Sequence, residues 1–246
     1  MTRWKASGIH LTISILAGLV AFCLLYFIYY PQPYFAVAGA DQLVLMLLGI
    51  DVILGPLLTL LVFKSGKKSL KFDLSTIAVI QIAALVYGLH IMWAARPVFI
   101  VGAVDRFNIV FADDLDAKDL AEAKYPEFSS IPRFGPKLVG VKQPENPDEQ
   151  FALAESGMAG KDIERLPKYY VPYELGSAAF AQRAKPLTEL RSKSPEAEAL
   201  ISAWLKGRGA VESYIYLPIA GGRVDGAVIM DKQTGGPVDI LRIDAW

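Results

Sequence analysis

Three apolar runs of 22 or 23 residues, Gly8 to Tyr30, Gln42 to Phe63 and Leu74 to Ala95, fall within the first 95 positions of the chain. About 20 consecutive apolar residues in a helix cross a ~30 Å hydrocarbon core. No water is present there to satisfy backbone N–H and C=O groups, so only helices and closed barrels can span it, and barrel strands need just ~9–11 residues. The runs therefore predict three N-terminal transmembrane α-helices, at about 8–30, 42–63 and 74–95. From Pro97 onward the composition is that of an ordinary water-facing domain. The expected organisation is a membrane region over 1–96 and an extracytoplasmic domain over 97–246.

The formal net charge of zero conceals a division: residues 1–96 carry seven Lys/Arg against three Asp, and residues 97–246 carry eighteen against twenty-two Asp/Glu. A mildly acidic domain with no basic stripe argues against nucleic acid as a partner. Arg3 and Lys5 precede the first run, no Lys or Arg lies between Pro31 and Asp41, and Lys64, Lys67, Lys68 and Lys71 fill the next connection. By the positive-inside rule the N-terminus and the Lys-rich loop are cytoplasmic. Three crossings then place the domain outside, which in a Gram-negative bacterium is the periplasm. The first run ends in Tyr26, Phe27, Tyr29, Tyr30 and Pro31, an interfacial aromatic anchor and a helix stop. It is longer than the ~7–15 residues of a signal-peptide core, and the small residues "AVAGA" at 36–40 lie beyond its end, so it reads as a retained helix. The single cysteine, Cys23, rules out an intrachain disulfide or a cysteine-based zinc site.

One carboxylate breaks the second run near its centre. Asp51 stands about 20 Å along the helix from Lys64, close to the bilayer midplane, where an Asp costs about 2.5–3.5 kcal/mol on insertion scales. It is expected to face neighbouring helices. Gly49, Gly55 and Pro56 surround it; small residues allow close helix approach, and the proline frees a carbonyl one turn earlier. Gly18, Gln81 and Tyr87 come to a similar depth. Asp51 either bonds within its own bundle or receives a partner helix.

In the domain, Val98 to Val104 and Phe107 to Phe111 read as strands around Asp105-Arg106, and Leu115 to Lys124 as a helix. Pro and Gly punctuate an irregular stretch over 126–147. Asp148 to Met158 and Ser194 to Lys206 read as helices, the second with Ser194-Pro195-Glu196 as its start signal. Ser213 to Pro218, Val224 to Asp231 and Val238 to Ile243 complete an α+β fold with a small antiparallel sheet. The chain's two histidines, His10 and His90, and its cysteine all lie before Pro97, which excludes Ser-His-Asp, Cys-His and His-zinc chemistry within the domain. The pairs Asp113/Asp114 and Asp225/Asp231 read as solvated or turn residues. No cofactor, metal, small-molecule substrate or catalytic residue is assigned, and the expected protein is not an enzyme. Tyr169, Tyr170 and Tyr173 form an aromatic loop suited to a contact surface or to a core flap.

The segments "RWKASGIHLTIS", "GIDVILGPLLTLLVFKSGKKSLKFDLSTIAVIQIAALVYG", "RPVFIVGAVDRFNIV" and "YLPIAGGRVDGAVIMDKQTGGPVDILRIDAW" resemble the TfpX/TfpZ family of type IV pilin accessory proteins, over roughly 3–115 and 214–246. The resemblance implies a non-catalytic, chaperone-like inner-membrane protein that aids pilin stability, presentation to the assembly machinery or pilus dynamics, with the major pilin as partner. A pilin waits in that membrane as one helix with a periplasmic head, so its helper needs two contact regions. The expected partner-helix contact is Gly49, Asp51, Gly55, Pro56 and Gln81; the expected periplasmic contact is Asp105, Arg106 and Phe107. A membrane-anchored immunity or sensor protein with a periplasmic binding domain is the alternative.

Overall fold

The computed structural model describes residues 2–224 and 226–246, with the backbone alone over 178–181. Its first compact unit is residues 1–31 and 40–95, and its second is residues 32–39 and 96–246.

The first unit is a three-helix bundle. Helix α1 (Arg3–Leu24) starts at Thr2, whose hydroxyl accepts from the Lys5 N–H at 3.4 Å, and runs on into a π-helical turn over Leu25–Tyr29. The four-residue α2 (Tyr34–Val37) belongs to the second unit; α3 (Ala40–Val62) and α4 (Leu70–Ala94) complete the first. All three long helices are long and apolar enough to cross a membrane, which makes this a multi-pass membrane protein. Large side chains such as Leu45, at 76% exposure, and Val20, at 71%, face outward, an arrangement stable in lipid and costly in water. Helix α3 is central, with α1 and α4 packed on it. Tyr30 is buried with its hydroxyl 2.8 Å from the Met92 carbonyl and 2.9 Å from that of Ala95, occupying acceptors that the end of α4 leaves unpaired.

The second unit is built on one eight-stranded sheet. Strands β1 (Pro97–Ala103) and β2 (Arg106–Phe111) form a hairpin whose turn residue Val104 has φ 57°. Helix α5 (Ala117–Ala121) follows, then β3 (Lys137–Val141), α6 (Pro147–Met158), β4 (Tyr170–Pro172), α7 (Tyr173–Ala181), β5 (Lys185–Pro186), α8 (Leu187–Lys193) and α9 (Pro195–Trp204). Strands β6 (Tyr214–Ala220), β7 (Gly226–Asp231) and β8 (Pro237–Leu241) end the fold. The strand order is β4-β3-β1-β2-β6-β7-β8, with β5 also paired to β6. The domain is α+β, but the sheet is larger than expected and mixed: β3 runs parallel to β1 and β6 parallel to β2, while the other pairs are antiparallel. The long excursion from Phe111 to Lys137 begins and ends beside the start of β1, and carries the chain from β2 on one side of that strand to β3 on the other.

Strand β1 is buried on both faces along its whole length, as a continuous apolar run in a central strand requires. On one face, Phe99, Val101 and Val110 pack with Leu120, Phe128 and Tyr170. On the same side of the later strands, Ala227 and Ile229 pack under Leu187, Leu190, Ile201 and Trp204 of α8 and α9. The opposite face carries Ile100, Phe107, Ile109, Leu217, Val228 and Met230, and here Val37, only 1% exposed, closes the core. The segment between the first two spans is thus a strap of the domain. It lies so close that a Cβ at Gly222 would overlap the Val37 carbonyl.

Candidate functional site

The polar residues of the bundle converge. Asp51 sits eleven residues from either end of α3, at the middle of the span. Gln81 of α4 donates from Nε2 to the Asp51 backbone carbonyl at 3.1 Å and lies beside its carboxyl group. Gly55 makes that contact possible, since a Cβ there would overlap the Gln81 amide. Pro56 is buried, and its carbonyl accepts from Ser7 Oγ of α1 at 2.9 Å. One turn further on, His10 Nδ1 and Thr59 Oγ1 are 2.5 Å apart, with Thr59 almost fully buried. Polar side chains therefore join α3 to both neighbours, as hydrogen bonds do in a solvent that offers none.

Asp51 and Gln81 also wall a cleft of about 120 Å³ where α1, α3 and α4 meet, opposite His10, Ser14 and Gly18. Of the residues expected to meet a partner helix, Asp51 and Gln81 line this cleft, whereas Gly55 and Pro56 are engaged inside the bundle. Gly49 has nothing within 4 Å of a Cβ position. A Cβ at Gly18 would meet Leu48 at an ordinary 3.6 Å, and Tyr87 turns outward at 67% exposure. Ser7, His10 and Thr59 were not among the expected contact residues. Their signal in the sequence is one polar residue per turn or two on a single face of α1, matched by Thr59.

In the domain, Asp105 and Arg106 form the exposed tip of the first hairpin, their side chains 3.4 Å apart, and the Arg106 guanidinium lies 5.5 Å from the centre of the Trp246 ring. Phe107 is 0% exposed and stacks on Tyr173, ring centres 6.4 Å apart. Only the first two residues of that trio are within reach of another protein; strand alternation turns the third into the core. Tyr169, Tyr170 and Tyr173 are all buried, so the aromatic segment is a core flap and not a contact surface. Tyr170 donates to the Glu164 carbonyl, and Tyr173 donates to the Gly235 carbonyl at 2.8 Å; burial raises the pKa of both phenols.

Asp114, Asp116, Asp119 and Asp231 have structural partners. Asp114 accepts from the Phe111 N–H at 2.9 Å and pairs with Arg165 at 3.2 Å. Lys161 bridges Asp116 and Asp119, which raises the lysine's pKa. Asp231 accepts from the Thr234 N–H at 2.8 Å, from its hydroxyl at 3.0 Å and from the Gln233 N–H at 3.0 Å, and these bonds lower its pKa. Asp225 lies outside the described residues. Among the described residues no group of three His, Cys, Asp or Glu side chains converges as a metal site.

A family model described as "Fimbrial assembly protein FimB" matches residues 1–39, which is α1 and the strap. The chain is 32% identical over 235 residues to "Fimbrial assembly protein, serogroup I" of Dichelobacter nodosus, covering 93% of this chain and 91% of that one. It is 34% identical, over the same shares, to "Fimbrial assembly protein, serogroup E1". With "Fimbrial assembly protein, serogroups C1 and C2" it shares 36% identity over 122 residues, 48% of this chain and 92% of the relative. No solved structure matches the chain.

Proposed function

Because the chain belongs to the FimB fimbrial assembly protein family, we propose that it serves fimbrium assembly as a non-catalytic, chaperone-like accessory of the type IV pilin, in the manner of TfpX/TfpZ proteins. The observation that carries this reading is the match along nearly the whole of both chains to proteins described as fimbrial assembly proteins. The residues of the two units support it. The bundle keeps Asp51, at the middle of its span, on a cleft among its helices, and the domain engages Asp114, Asp119 and Asp231 in ion pairs and a turn.

In this reading the helices lie in the bacterial inner membrane, with the N-terminus and the Lys-rich loop in the cytoplasm and the domain in the periplasm. The pilin's single helix is held among the spans, and Asp105 and Arg106 meet its head. Deletion of the gene is expected to remove most surface pili and twitching, with both restored by the wild-type gene in trans. Unchanged piliation in the deletion strain would refute the assembly role.

A further inference from the structure

We infer that the cleft at Asp51 is the seat for one hydrogen-bond-donating side chain, carried at mid-bilayer by the transmembrane helix of the fimbrial subunit. The inference rests on the pilin-accessory reading above and adds the place and chemistry of the contact.

Three observations lead there. First, the cleft has a size that decides what it takes. At about 120 Å³ it is somewhat smaller than a 150 Å³ cavity that accepts a benzene ring, so it holds one side chain and not a whole helix. A helix lying over it, between Ile13 of α1 and Ile82 of α4, would insert a single residue; both rim residues are exposed, at 59% and 63%.

Second, the wall is polar where lipid cannot satisfy it. Asp51 is half-buried and lines the cleft; the Gln81 amide donates to its backbone carbonyl at 3.1 Å and also hydrogen-bonds its carboxyl group, which leaves the remaining lone pairs of that group to be met. A carboxyl group has two oxygens with about four lone-pair sites. An acyl chain offers no donor to any of them, and leaving a carboxyl group against hydrocarbon is unfavourable at this depth. A hydroxyl, amide or amine would meet that acceptor.

Third, depth excludes a lipid headgroup as the occupant. Eleven helical residues on either side of Asp51 amount to ~16 Å of rise, so a lipid headgroup does not reach the cleft. A different helix with a donor at that level is complementary.

The test uses the full-length protein in membranes that also contain the fimbrial subunit. A photo-crosslinking residue is placed at Ile13, at Ile82, and at Ile53, which is exposed and about 200° around α3 from Asp51. Ile13 and Ile82 are expected to capture the subunit and Ile53 not to. Asp51→Leu should lower capture from the rim by about three- to thirtyfold, the range of one interhelical hydrogen bond. Asp51→Asn, which keeps an acceptor oxygen, should stay within about threefold of wild type on the same scale. Ala78→Phe, which fills the cleft and leaves Asp51 in place, should abolish capture from both rim positions.

Capture of a second copy of this chain from the rim would overturn the inference, as would capture from Ile53 equal to that from Ile13, or full capture by Asp51→Leu. If the substituted proteins fail to accumulate, the three crosslinking positions decide alone, because they leave Asp51 and Gln81 in place. Co-purification of the subunit with wild type, without any rim crosslink, would remove the seat and leave the accessory role standing. Absence of any association, with normal piliation in the deletion strain, would remove both.

Discussion

Val104 is the residue most at odds with its own backbone. A β-branched side chain at φ 57° occupies a region that L-residues other than Asn, Asp and Gly rarely adopt. Such a conformation costs of order 1–3 kcal/mol, and the tight two-residue turn between Ala103 and Arg106 enforces it. Val104→Gly is expected to stabilise the protein by about 1 kcal/mol, less than the full strain because glycine has more freedom to lose. Urea denaturation of the detergent-solubilised chain, followed by domain fluorescence, measures it; an unchanged or lower midpoint contradicts the strain. Asp231 makes the opposite case, a residue well matched to its turn. Three donors hold its carboxylate and depress its pKa below the unfolded value. Its stabilisation is therefore complete above the unfolded pKa of about 3.9 and is lost as pH falls through the lower folded value. Amide exchange at Thr234 and Gly235 should be pH-corrected and flat above about pH 5, then accelerate below about pH 4. Asp231→Ala should show the fast behaviour throughout.

At the scale of elements, the strap matters more than its length suggests. Val37 lies against the face of the sheet with Ile100, Phe107 and Ile219. Val37→Ala is expected to cost about 2 kcal/mol through lost burial and the cavity left behind, and a thermal melt of the domain signal should register it. The three spans, the first hairpin and α9 were legible because each carries an unambiguous local signature: unbroken apolarity, β-branched runs flanking a turn, and the Ser194-Pro195 start in which Ser194 Oγ accepts from the Ala197 N–H at 3.1 Å. Strand β3 was hidden because Pro136 and Gly140 punctuate it, and its pairing with β1 is set by tertiary contact alone. Helix α8 carried a weak signal in Leu187 and Leu190, three apart and both fully buried. The residues of the cleft were half legible: depth counting brought Asp51 to Gln81, but no spacing rule could turn Gly55 and Pro56 inward. Burial of Phe107 beside an exposed Arg106 follows from strand alternation and could have been read in advance.

For the whole molecule, the distribution of lysines predicts topology. Alkaline phosphatase fused after Trp246 is expected to be active and the same enzyme at Ser69 silent; the reverse pattern would invert the orientation. One consequence reaches into synthesis itself. Residues 32–39 belong to the same compact unit as residues 96–246, with two spans of chain between them. The strap leaves the ribosome early, and β6 and β7 of the sheet face that Val37 covers are translated near the end, so this core joins parts of the chain made far apart in time. A chain in which only one of the second and third spans crossed the membrane would deliver the strap and the sheet to different compartments. Completion of this fold therefore reports that the two spans did not insert singly, and protease resistance of the domain reads out that step of membrane biogenesis.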